Sequence, residues 1–304
     1  MKPHFKKINK RVAGRDFKYF IFDWDDNILH MPTRIYLEKK DRDGNWVEHS
    51  VSTSLFAVIR SDTENYRPPG GNWDLAFRDF QDYEGEADES SFLKDTRNTL
   101  ERVLRCEESP APSFMRLKET LIEGRLFAIV TARGHEPASI KAAVRLFIDL
   151  VLTDEERETM LANLRGYRAA FDGMKNFGSD EEELEYYLSL NRYHAVTSPG
   201  FKKWLHSVGG HESDQEHSKQ FAIRDFVEHV VRLMSRDGKG LGHRSISVGF
   251  SDDDIANVRA VEEYIQKELS RYFPSVKFVV YDTSDKSLEK GRKIVVSGQL
   301  DFDF

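Results

Sequence analysis

Lys18-Tyr19-Phe20-Ile21-Phe22-Asp23-Trp24-Asp25-Asp26-Asn27-Ile28-Leu29 decides how the rest of the chain is read. Its aromatic and aliphatic run is too short for a stable helix and too continuous for a strand with one wet face. It predicts a strand buried on both faces, as in a parallel sheet. The run ends in Asp23, Asp25 and Asp26. Negative charge gathered at a strand tip calls for a cation, and an oxygen-only donor set favours a hard ion such as Mg²⁺. Ligands of open α/β sheets bind at the carboxyl ends of the strands, so the strand would deliver Asp23 and Asp25 to a site.

Further apolar runs repeat the pattern. Leu126 to Val130 leads into Thr131-Ala132-Arg133-Gly134, and Tyr193 to Thr197 is closed by Ser198-Pro199-Gly200. Ile246 to Phe250 runs into Ser251-Asp252-Asp253-Asp254, and Val276 to Tyr281 follows. Between them lie helical patterns: Phe92 to Leu104, Ser113 to Leu121, a helix opening at Pro137, and the Ile255, Val258, Val261, Ile265 face. Thr153 with Glu156 and Ser179 with Glu182 read as capping boxes, and Ser218 as the cap of a helix carrying Ile223, Phe226 and Val230. Strands alternating with helices imply an α/β fold with a doubly wound parallel sheet.

In order along the chain, Asp23-Trp24-Asp25, Thr131, Lys219 and the Asp252-Asp253 pair resemble the four motifs of the haloacid dehalogenase-like (HAD) phosphatases. The resemblance covers these four regions only. It implies a Rossmann-like core at residues 1–32 and 116–304, with a cap-type insertion at 33–115. It also implies Mg²⁺-dependent hydrolysis of a small phosphomonoester through an aspartyl-phosphate. Asp23 would be the nucleophile and Asp25 the general acid and base. Thr131 would hold a phosphate oxygen, and Lys219 would neutralise phosphate and position Asp23. Lys202 and Lys203 compete with Lys219 for that role. Asp23, Asp25, Asp252 and Asp253 would hold the metal. Arg133 resembles an Arg that clamps phosphate in some members, the alternative being a surface Arg in a loop. Asn27 stands where the family usually has Thr or Val and is grouped with Arg133 on the substrate side. Transfer to an acceptor other than water, or a non-catalytic interaction protein on the same fold, are the rival readings.

Within the insertion, Arg34 to Glu38 and Trp46 to Val51 form a hairpin around Asp43-Gly44, and residues 62–90 read as irregular loop. Such a lid would select the substrate through Trp46 or Trp73. A second helical insertion at about 155–190 would lengthen the wall of the site. Asp254 falls at a helix start, where it would act as a cap. His206, His211, Asp214 and His217 match no zinc spacing, and Gly238, Gly240 and Gly242 follow a helix where a dinucleotide loop needs a strand. Both read as connections.

Bulk composition bounds the classes. The 304 residues carry 32% charged side chains, a net charge of -7 and one cysteine, Cys106. That excludes a disulfide framework and fits a reducing, cytoplasmic setting. An acidic chain does not favour nucleic acid or anionic lipid. No apolar window reaches the length of a membrane span, and the basic first 15 residues lack the apolar stretch of a signal peptide.

Overall fold

The computed structural model describes residues 17–82, 90–171, 177–208, 215–235, 246–285, 288 and 291–296. The first 16 residues, the 238–242 glycines, His211 and Asp214 lie outside them. The fold is α/β, built on a mixed, mostly parallel six-stranded sheet.

Strand β1, Phe17–Phe22, occupies the middle of that sheet. It pairs in parallel with β5, Phe127–Thr131, on one side and with β7, Ile246–Asp252, on the other. Beyond β5 lies β6, Arg192–Ala195, and beyond β7 lies β8, Val276–Asp282, both parallel. A sixth strand, β9, Arg292–Val296, runs antiparallel along β8. It escaped the sequence reading because only Val296 of its five residues is buried, leaving no apolar run to see. Every residue of β5 is buried, and each large apolar side chain so placed contributes about 1.5–3 kcal/mol. In β7, Gly249 allows two rings to cross its strand. A Cβ there would stand 3.1 Å from Phe20 Cδ1 and 3.1 Å from Tyr281 Cε2.

Helices pack on the sheet by their apolar faces. They include α3 (Ser91–Leu104), α4 (Phe114–Ile122), α5 (Pro137–Val151), α6 (Asp154–Phe171), α7 (Asp180–Leu190), α8 (Pro199–Ser207), α9 (Gln215–Ser235) and α10 (Ile255–Tyr264). The Thr153–Glu156 box closes at both bonds: Glu156 N–H donates to Thr153 Oγ1 and Thr153 N–H to the Glu156 carboxylate. Ser179 caps α7 through Glu182 N–H, but Glu182 reaches back to Gly178 instead of Ser179. Ser198, read as a closing turn, caps α8. Ser218 lies inside α9 and does not cap it.

A second, three-stranded sheet is formed by β2 (Ile35–Lys40), β3 (Trp46–Val51) and the short β4 (Tyr66–Arg67). The β2–β3 hairpin is antiparallel. With α1 (Thr53–Ile59) and α2 (Trp73–Ala76) it builds a separate small core on Ile35, Leu37, Val51, Ala76 and Phe80. The segment expected to be one insertion is thus divided: Phe92 and Leu100 of α3 join the main core. The helices of 155–190 do the same through Leu161, Leu184 and Leu188. They flank a cavity beside Phe17 and Leu126, at the opposite end of the sheet from Asp23. No helix of the described residues is long and apolar enough to cross a membrane.

Candidate active site

The carboxyl ends of β1, β5 and β7 open into a cleft of about 290 Å³ that includes Asp23, Asp25, Thr131, Lys219, Asp252 and Asp253 in its lining. Asp23 follows directly on β1, held by its N–H to the Ser251 carbonyl at 3.0 Å. The chain then folds into a compact turn. Ile28 and Leu29 N–H both return to the Trp24 carbonyl, and Asp26 adopts a φ of 51°. That left-handed step, tolerated by Asp better than by most residues, supplies the bend that lets Asp23 and Asp25 share one cleft.

Lys219 is the lysine brought to this point. Its Nζ donates to Asp252 Oδ2 at 2.7 Å and to Asp23 Oδ1 at 3.4 Å, and it is almost wholly buried. Burial alone would lower its pKa, but Asp23 and Asp252 outweigh burial and raise it. Lys202 lines the cleft from an exposed position, whereas Lys203 is exposed outside the lining.

Asp23, Asp252 and Asp253 each offer an oxygen within 4.8 Å of the others, a group that could hold a metal ion. The donor chemistry fits a hard cation: oxygen only, partly withdrawn from water, and supplied by three carboxyl groups. Asp23 is pushed up to about 8, chiefly by burial; Lys219 opposes the shift, while Asp252 and Asp25 add to it. Asp253 is raised well above the carboxylate range by burial and then by Asp252 and Asp23. Asp252 is fixed by Asp254 N–H at 2.9 Å and by Asn257 Nδ2 at 3.2 Å. Asp254 is the N-cap of α10, accepting from Ala256 N–H at 2.9 Å, and pairs with Arg60 of the small sheet's segment at 3.1 Å.

Three of the expected site residues are engaged by the protein itself. Asp25, grouped with the metal ligands, gives both oxygens to Arg133: Nε donates to Oδ2 at 2.8 Å and Nη2 to Oδ1 at 2.7 Å. Arg133, read as a phosphate clamp or a surface Arg, is buried. It donates also to Thr33 Oγ1 at 2.7 Å and lies between the rings of Phe80 and Phe92. Asn27, expected on the substrate side, is fully buried beneath the site. Its Nδ2 donates to the Asp23 and Ser251 carbonyls, and its Oδ1 accepts from Ser113 and Thr283. It ties the ends of β1, β7 and β8 to the start of α4, which is why a polar residue occupies a wholly buried position.

Thr131 ends β5 with its side chain buried, accepting from Arg133 N–H at 3.4 Å. Thr33 and Asn257 escaped the sequence reading. Nothing local marks Thr33. Asn257 lies one helical turn past the cap Asp254, a spacing that is legible in the sequence. Of the two tryptophans expected in the lid, Trp73 lines the cleft, while Trp46 packs under Arg67 outside it. Among the described residues of 155–190 none lines the cleft, so they do not lengthen its wall.

Comparison of the chain with protein-family models, with curated proteins and with solved structures returns no match. The function is therefore argued from these residues.

Proposed function

We propose that the protein is a Mg²⁺-dependent phosphomonoester hydrolase of the haloacid dehalogenase-like type, with a doubly wound core and the small sheet as its cap. One observation carries the proposal: the tip of the central strand presents Asp23 beside a buried lysine and two further carboxylates. A cytoplasmic setting accords with the single, free Cys106.

In this reading Asp23 attacks phosphorus, forming an acyl phosphate while the bond to the leaving oxygen breaks. Asp25, entering the cycle protonated, gives that oxygen its proton and regains one from the water that attacks the acyl phosphate. Inorganic phosphate leaves and Asp23 returns as a carboxylate. Lys219 holds Asp23 in place and offsets charge on the transferring group. Asp23, Asp252 and Asp253 would hold the ion, which neutralises phosphate charge and orients it. Both oxygens of Asp25 accept from Arg133, so proton transfer requires one of those bonds to open.

Asp23→Asn tests the proposal on p-nitrophenyl phosphate with Mg²⁺. Turnover should fall at least about 10³-fold, with the protein still folded, and residual activity above a few per cent overturns the mechanism. Asp252→Ala should raise the Mg²⁺ requirement most, and Asp253→Ala less. The non-catalytic reading draws on the closed Asp25–Arg133 pair. Mg²⁺ binding with no turnover of any phosphomonoester would decide in its favour.

A further inference from the structure

The small sheet's segment brings aromatic rings to the lining of the cleft. Trp73 stacks on Phe77 with centroids 5.8 Å apart and planes 29° apart. Phe56 meets both edge-on, at 6.1 Å and 5.4 Å. All three line the same cleft as Asp23 and Lys219. They come from the small sheet's segment, whose own core lies on Ile35, Leu37 and Val51. Phe56 and Phe77 pack against that core, yet Trp73 keeps 48% of its surface exposed. A large ring left open on the wall of a polar site, with its neighbours already oriented, is a surface suited to another ring.

Four polar side chains, Thr53, Arg60, Asp74 and Gln81, line the cleft from the same segment. Thr53 Oγ1 donates to Asp26 at 2.5 Å and Arg60 is paired with Asp254. Asp74 and Asp254 also line the cleft and disfavour a second phosphate. A volume of about 290 Å³ lies at the lower end of small-ligand sites.

We propose that the cleft selects phosphomonoesters whose leaving group carries a planar aromatic ring, either an aryl ring on the ester oxygen or the base of a nucleoside, seated against Trp73 and Phe77. The proposal rests on the phosphatase reading, so its test uses binding of non-hydrolysable ligands as well as turnover. Calorimetry on the full chain with Mg²⁺ would compare phenylphosphonate, the 5′-methylenephosphonate analogue of adenosine, and butylphosphonate. At least one ring-bearing ligand should bind about fivefold or more tightly than butylphosphonate. Trp73→Ala should erase that preference and Trp73→Phe restore most of it. The stronger of the two ring ligands tells whether an aryl group or a nucleobase is preferred. Equal binding of butylphosphonate, no binding of any phosphonate, or a preference surviving both Trp73→Ala and Phe77→Leu overturns the inference. Parallel turnover of phenyl phosphate, adenosine 5′-monophosphate and glycerol 3-phosphate separates the two failures. Hydrolysis without ring preference overturns ring selection alone. Ring preference in binding with no hydrolysis supports ring selection and overturns the phosphatase reading.

Discussion

Arg133 and Arg168 are both almost fully buried, both fork onto a carboxylate and both lie over an aromatic ring. Arg168 joins α6 to α7, gripping Glu183 beside the cavity at the amino end of the sheet. Arg133 joins three distant places: Asp25 after β1, Thr33 before the small sheet, and the ring of Phe80 at that sheet's far side. The lesson is that a buried Arg–carboxylate pair does not by itself mark a functional site. What sets Arg133 apart is its partner, since Asp25 lines the same cleft as Asp23, Asp252 and Asp253. Polar atoms without partners also gather around it: its own Nη1, both nitrogens of His135, and Trp24 Nε1.

The sharpest way to break this comparison is to truncate each arginine. Arg133→Ala and Arg168→Ala should each lose about 3–5 kcal/mol in urea unfolding, because each strands a buried carboxylate. Arg133→Ala should also lose on the order of 10²-fold in kcat/KM, as Asp25 loses its position. Arg168→Ala, assayed where it is folded, should stay within about threefold of the parent. Comparable activity losses in both would remove the distinction. Replacing the second pair by Arg168→Met with Glu183→Leu should be neutral within about 1 kcal/mol, or stabilising.

A somewhat smaller effect involves His135, whose ring packs 4.8 Å from Phe92, the same ring that Arg133 faces. Burial, and then the charge of Arg133, lower it from 6.5 to about 3. The unfolded chain therefore binds this proton first. Stability present above pH 6.5 is lost as pH falls towards 3, by roughly 3 kcal/mol at pH 4. In His135→Phe the slope of unfolding free energy between pH 6.5 and 4 should be shallower. An unchanged slope would show that the acid sensitivity lies elsewhere.

The smallest expected effect separates two near neighbours at the tip of β7. Asp254→Ala should cost about 0.5–2 kcal/mol as a lost cap and leave the Mg²⁺ requirement of activity alone, unlike Asp252→Ala. A dominant metal effect at Asp254 would shift the assignment of the acidic pair.

The sheet was legible in the sequence wherever a strand is buried on both faces, as at Phe127 to Val130 and Val248 to Phe250. It was not legible at β9, whose exposed residues carry no pattern, or at α8. There Ser198-Pro199, with Phe201 and Leu205 one turn apart, starts a helix with the same residues that close a turn. At the site, residues that end strands could be placed from sequence: Asp23, Thr131 and Asp252. Residues defined by distant partners could not. Arg133 meets Asp25 across 108 positions, and Asn27 meets Ser251 across 224. No local spacing encodes such contacts, so the partners of Arg133 and Asn27 within the protein are not legible in the sequence.

The central place of β1 has a consequence for synthesis. Its neighbour β7 reaches the ribosome last among the strands that frame the site, some 224 residues after Asn27. At 5–20 residues per second the wait is roughly 10–45 s. Until then Tyr19 to Phe22 can pair on the β5 side only, and the carboxylates cannot assemble. The nascent chain carries an open, strongly aromatic strand edge through that interval, which makes β1 the segment with most to gain from chaperone protection.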